Sequence, residues 1–204
     1  MKGRVLTVVL LLLVSIIQAN AQDIKIHSPH AESYACTEHW DGQFKWIGDA
    51  LGTDCIVQGW YKDGTKMFLR PFKNQGFENK DWFGFQKNVL APCDCTISAI
   101  HINAKTNQPG VMNPGRASSI TFKTQDKKSI LIAHVQNVQV SVGEQVKAGQ
   151  AVAKVGNNGY SRNPHVHIAA WDDQGVPLQI QFDQKTVGMA SRENKKKTEA
   201  GQVK

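Results

Sequence analysis

His165 and His167 stand two residues apart in Asn163-Pro164-His165-Val166-His167-Ile168. The run reads as a β-strand, where alternate side chains share a face, so both imidazoles point the same way. Two imidazoles on one face are raw material for a zinc site or a general base. Val166, Ile168 and Ala170 alternate onto the other face, where they can enter a core. Two further residues extend the chemistry. His134 closes the apolar run Ile130-Leu131-Ile132-Ala133, and Asp81 stands in Asn79-Lys80-Asp81-Trp82. Imidazoles and a carboxylate are the groups that bind metal and move protons in a hydrolytic site.

Something must hold these residues together, and the sequence offers strands. Short β-type runs at 88–91, 96–102, 119–122, 130–135, 151–155 and 165–171 alternate with turn residues. No long amphipathic helix and no internal repeat interrupts them. The expected class is therefore all-β, mainly antiparallel. Ahead of this region, Asp63-Gly64 carries a hairpin-turn signal between two runs expected to pair, 56–60 and 67–69. Gly143 and Gly149 flank a small apolar step and suit tight turns. Similar segments occur in lipoyl and biotinyl carrier domains. Those carry Met-Lys-Met or Asp-Lys-Ala, neither of which occurs here, so the segment reads as structural. Trp171 falls on the His167 face by alternation and reads as packing or groove wall.

Composition sets the setting. Lys2 and Arg4 precede an apolar run from Val5 to Ile17, and Ala19-Asn20-Ala21 follows as a small-x-small cleavage pattern. Residues 1–21 are expected to be a signal peptide, leaving an exported mature chain without a transmembrane anchor, since a span needs about 20 apolar residues. The mature chain divides into a prefix at 22–75, a β domain at 76–184 and a basic tail at 185–204 expected to be disordered. The full chain has 24 Lys and Arg against 17 Asp and Glu. Losing Lys2 and Arg4 leaves a net charge of about +5. Lys195-Lys196-Lys197 contributes much of that excess and reads as a solvated tail or a weak tether to an anionic surface. Nucleic-acid binding is set aside, because export argues against it and no helical recognition motif or basic-aromatic stripe is found. Cys36, Cys55, Cys93 and Cys95 suggest two disulfides in an oxidising compartment, with three possible pairings. Cys36 with Cys55 is preferred. A Cys93–Cys95 bridge would need a turn, for which Ala91-Pro92 provides, and metal binding is the other reading of that pair.

The order of motifs resembles the LytM/lysostaphin-type zinc metallopeptidases of the M23 family. It combines Asp81 before Val89-Leu90-Ala91-Pro92, His134 closing a strand, and the spaced valines and glycines of 140–150. Gly156-Asn157-Asn158-Gly159-Tyr160-Ser161 and Pro164-His165-Val166-His167 complete it. The resemblance runs from about Asp81 to Phe182. It implies a β-sandwich with a groove, Zn2+ as cofactor, Asp81 and His167 as metal ligands, and His134 and His165 as the pair handling water and the developing oxyanion. Zinc in such a site polarises a carbonyl and lowers the pKa of water to about 7. The implied function is an exported metallo-endopeptidase, periplasmic or secreted, that hydrolyses peptide bonds in peptidoglycan. One position departs from the pattern. Phe77 stands four residues before Asp81, where the family has its first ligand His. Glu78, Asn79, His101, His27, His30 and His39 could each complete a ligand set, and spacing singles out none of them. Phe77 also supports an alternative: a degenerate LytM-like domain that binds cell wall or regulates another hydrolase.

Overall fold

The computed structural model describes residues 23–40, 43, 50–190 and 192. The expected signal peptide and most of the basic tail lie outside these residues. In chain order the strands are β1 (Asp23–Ile26), β2 (Tyr34–Glu38), β3 (Thr53–Val57), β4 (Gly59–Asp63), β5 (Lys66–Arg70), β6 (Asn88–Leu90) and β7 (Cys95–His101). Then come β8 (Ser119–Lys123), β9 (Ser129–Ala133), β10 (Val135–Gln136), β11 (Gln145–Val146), β12 (Ala151–Val155), β13 (Val166–Trp171) and β14 (Gln179–Phe182). Seven of them form one sheet in the order β11-β7-β8-β9-β13-β3-β2, and β10-β12-β6 form a second. All pairs in these two sheets are antiparallel, and β1 pairs with β14 in parallel. The protein is an all-β sandwich, as its alternating short strands require.

The core lies between the sheets. From the large sheet Ile97, Ile120, Phe122, Ile130, Ile132 and Ile168 are fully buried, and Val89, Val135, Val152 and Val155 meet them from the small sheet. β-branched side chains dominate because they pack well on a pleated surface. In β13 the expected alternation appears: Val166 and Ile168 are buried without exposure, and their neighbours His165 and His167 belong to the opposite face.

The prefix is part of this architecture. β2 and β3 extend the large sheet beyond β13, with His167 opposite Asp54 and Asp54 opposite Thr37. The run expected as one strand at 56–60 divides. Gln58 N donates to the Ser33 carbonyl at 2.8 Å, and the chain leaves the sheet there to enter the β4–β5 hairpin around Gly64-Thr65. Trp60, Met67 and Leu69 on that hairpin are exposed.

Both disulfides form, Cys36–Cys55 and Cys93–Cys95. Cys93–Cys95 closes the bend that leads into β7, so neither thiol is left for metal. Cys36 and Cys55 are directly opposed on β2 and β3, one step from the Thr37–Asp54 pair. The Cys36→Ala/Cys55→Ala variant is expected to lose about 2–4 kcal/mol of stability, which chemical denaturation would measure. An unchanged midpoint would mean that strand pairing alone holds β2.

His30 supplies a second testable property. Its ring is fully buried, Nδ1 donates to the Asn88 carbonyl at 3.3 Å, and Nε2 has no partner. Burial pushes its pKa down to about 4, against the opposing influence of the Asn88 carbonyl and the Glu32 charge. The unfolded chain, with an ordinary histidine near 6.5, takes up this proton first. Its contribution to stability is therefore complete above about pH 6.5 and is lost as pH falls toward 4, by roughly 1.4 kcal/mol per pH unit. His30→Gln should flatten this acid limb of a stability-versus-pH curve. Identical slopes in the two proteins would remove His30 as its source.

Candidate metal centre and catalytic cleft

Strand register builds the centre. Across the exposed face of the large sheet, the end of β2, then β3, β13 and the end of β9 lie side by side. They contribute His39, Asp54, His167 with His165, and His134 in turn. His39 follows β2 and is held by its amide, which donates to the Gly52 carbonyl at 2.8 Å. Asp54 faces His167 directly across the β3–β13 ladder, and His167 Nδ1 donates to Asp54 Oδ1 at 2.8 Å. His39 Nε2 lies 3.5 Å from Asp54 Oδ2, and His165 Nε2 lies 3.5 Å from Asp54 Oδ1. The His39 and His167 rings stack at 5.2 Å between centroids. Burial alone would raise the Asp54 carboxyl, but the 2.8 Å hydrogen bond from His167 and the His165 imidazole beside it outweigh that. They hold Asp54 well below the usual carboxylate range.

His39, Asp54 and His167 each offer one donor atom, and these atoms all lie within 4.8 Å of one another. Two imidazoles and one carboxylate match the three-ligand donor sets of catalytic zinc. The residues fit the metal.

His134 and His165 sit beside this trio, with ring centroids 4.5 Å apart. Each ring is oriented by a backbone carbonyl: His134 Nδ1 donates to Asn158 O, and His165 Nδ1 donates to Asn163 O, both at 2.8 Å. Those bonds fix the tautomers and leave Nε2 of each ring as a lone-pair acceptor. His134 has a positive φ of 61°, a sparsely populated conformation that ends β9 and turns the chain into β10. Burial pushes the His134 pKa down to about 3, with the charge of His165 adding to the effect, so the ring is neutral at neutral pH.

The carbonyls that aim these rings belong to the loop between β12 and β13. Asn157, Asn158 and Ser161 are buried there and hydrogen-bonded through their side chains. Asn158 Nδ2 donates to Val135 O at 2.9 Å, while its Oδ1 accepts from Ser118 N at 2.7 Å. Asn157 Nδ2 donates to Asn79 Oδ1 at 2.9 Å, and Ser161 Oγ lies 2.9 Å from Asn157 Oδ1. Asn107 Nδ2 reaches both Gly159 O and Ser161 O at 2.8 Å. Gly159 has a φ of 64°, and a Cβ there would lie 2.6 Å from the Ala117 backbone, so the loop closes only with glycine at this position. A polar network in which these side chains brace one another makes a rigid platform.

Asp81 stands elsewhere. It ends the 3-10 turn Asn79–Asp81, where Oδ1 accepts from Asn74 Nδ2 at 2.9 Å and Oδ2 from Glu78 N at 3.4 Å. It is not among the residues lining the cleft at the histidines. Phe77 is 75% exposed. Of the six residues named for completing a ligand set, the structure brings His39 to the centre. His30 is buried against Asn88, and His101 Nδ1 bonds Ala117 O at 3.0 Å. Asp54 was not anticipated. Its signal in the sequence is a lone carboxylate inside the strand-like run Thr53-Asp54-Cys55-Ile56-Val57.

Residues 83–179 match the family model of Peptidase family M23. This segment is the M23-like part of the chain. It carries His134, His165 and His167, whereas His39 and Asp54 come from the chain before it. No curated protein matches this chain. Among solved structures, the M23 segment and its surroundings are similar to a mutant catalytic domain of the prophage-encoded M23 protein EnpA from Enterococcus faecalis. That match has 18% identity over 60% of this chain and 88% of that one, with a TM-score of 0.40. The catalytic domain of the antimicrobial peptidase lysostaphin from Staphylococcus simulans matches at 21% identity over 61% and 88%, with a TM-score of 0.38. A putative M23 peptidase from Pseudomonas aeruginosa matches at 14% identity over 84% of this chain, with a TM-score of 0.46. This chain spans 52% of that protein.

Proposed function

We propose that the protein is an exported, zinc-dependent metallo-endopeptidase of the M23 type that hydrolyses peptide bonds in peptidoglycan. The observation that carries this reading is the convergence of His39, Asp54 and His167 beside a second imidazole pair in an open cleft of about 880 Å³. A cleft of this size accommodates a short stretch of peptide. The metal ligands are then His39, Asp54 and His167, with Asp81 serving its own turn. Bound there, zinc supplies a Lewis acid that polarises a carbonyl and brings the pKa of water to about 7.

The remaining chemistry belongs to the protein. With Nδ1 of both rings committed to carbonyls, Nε2 of His134 and of His165 can each accept a proton. One takes the proton from the attacking water, and the imidazolium so formed returns it to the departing amine. His165 is the better placed to hold that charge, because Asp54 lies 3.5 Å from its Nε2. His134, buried and neutral, orients the water through its lone pair.

Export is supported by the amino-terminal signal pattern and by two disulfides, which persist in oxidising compartments. Among the described residues no helix is long and apolar enough to cross a membrane. Peptidoglycan as substrate follows from the family resemblance. The wall-binding alternative drew on Phe77, and a ligand set that bypasses position 77 weakens its ground. Incubating purified peptidoglycan with zinc-loaded protein should release new amino termini, and chelation should stop the release. If fully zinc-loaded protein released none, the peptidase reading would fail and the binding reading would replace it.

A further inference from the structure

The cleft carries a charge pattern that the hydrolytic chemistry does not use. Arg116 and Arg162 both line it, on adjacent loops, and both are exposed. Asp54 is the one carboxylate lining it among the described residues, and its charge is taken up by the imidazoles around it. Neither guanidinium has an ion-pair partner among the described residues. Lysine and arginine on a protein surface are often solvated, but these two are carried on fixed backbone. Gly110 N donates to the Arg162 carbonyl at 2.8 Å, tying one loop to the other. Asn103 Nδ2 donates to the Arg116 carbonyl at 2.9 Å, and Ser118, two residues on, is bonded to Asn158. The backbone of both arginines is therefore held in place at the cleft that the histidines line.

We infer that this cleft selects peptides bearing side-chain or terminal carboxylates close to the scissile bond, with Arg116 and Arg162 as the specificity-determining residues. The inference rests on the peptidase reading of the same cleft and names its substrate class. Guanidinium is suited to the task because its planar fork pairs with a carboxylate through two charge-assisted hydrogen bonds. A carboxylate bound there displaces only water, since no protein anion competes for it. Neutral peptides such as oligoglycine gain nothing from either arginine. Two positive charges at the rim also steer anionic peptides toward the cleft at low ionic strength.

Two synthetic peptides differing only in Glu against Gln, titrated calorimetrically into the full chain as purified, test this. The acidic peptide should bind about 10-fold tighter or more, since each factor of ten corresponds to one good polar contact. Added salt should narrow that ratio. It should fall to about one in Arg116→Gln/Arg162→Gln and partly in each single variant. Equal affinities in the unmodified protein, a ratio that survives the substitutions, or no measurable binding of either peptide would overturn the inference. Hydrolysis of the same peptides, followed in parallel, keeps the two readings apart. Preference in binding without cleavage defeats the peptidase reading alone, and cleavage without preference defeats this one alone.

Discussion

Replacing Asp54 by Asn is expected to strip bound zinc from the protein and to lower peptide hydrolysis at least ~100-fold, whereas replacing Asp81 by Asn is expected to leave the metal in place. Asp54 is central to the cluster: one oxygen meets His167 Nδ1 at 2.8 Å, the other lies 3.5 Å from His39 Nε2. Removing its charge leaves two imidazoles and a neutral amide, short of the three ligands catalytic zinc requires. The substitution is nearly isosteric, so β3 and its ladder to β13 survive, and the loss reports on ligation rather than unfolding. Asp81 makes its bonds to Asn74 and Glu78 within one turn. Its loss costs roughly 1 kcal/mol of stability, as for an ordinary capping interaction. Zinc content after exhaustive dialysis measures both variants. Retention in the Asp54 variant with loss in the Asp81 variant would reverse the assignment.

His134→Ala is expected to lower turnover by roughly 10²-fold, the cost of a misplaced reacting water, while zinc content is unchanged. His134 stands outside the donor trio, with its ring centroid 6.2 Å from that of His167. It is held from behind by the Asn158 carbonyl rather than by any ligand. The same substitution therefore separates chemistry from metal binding. A variant that kept most of its activity would remove His134 from the reaction, and one that lost zinc would make it a ligand.

These two experiments also mark where the sequence could and could not be read. The His165–His167 pair and the buried alternation behind it follow from strand period alone, a local property of six residues. The β strands at 151–155 and 119–123 were legible for the same reason. Asp54 and His39 belong to the centre through register: Asp54 lies 113 residues from His167 in sequence and directly across a ladder in space. No local pattern encodes which strand will lie beside β13. The Cys36–Cys55 bridge was the available clue, because it fixes β2 against β3 next to Asp54. Asp81 attracted attention through its place before the Val89-Leu90-Ala91-Pro92 run, yet an Asp three residues after Glu78 is equally the signature of a closed turn. Arg116 and Arg162 carry no spacing signal, since two loops make them neighbours.

In the proposed centre, Asp54 of a prefix strand and the prefix residue His39 complete a ligand set whose third member, His167, lies in the M23-like segment. A crystal structure of the zinc-loaded protein, with the ion located by anomalous scattering, tests it most directly. One ion is expected at ~2.0–2.2 Å from a nitrogen of His39, an oxygen of Asp54 and a nitrogen of His167. An ion bound through Asp81, or a fully loaded protein in which His39 and Asp54 stand away from the ion, would contradict it.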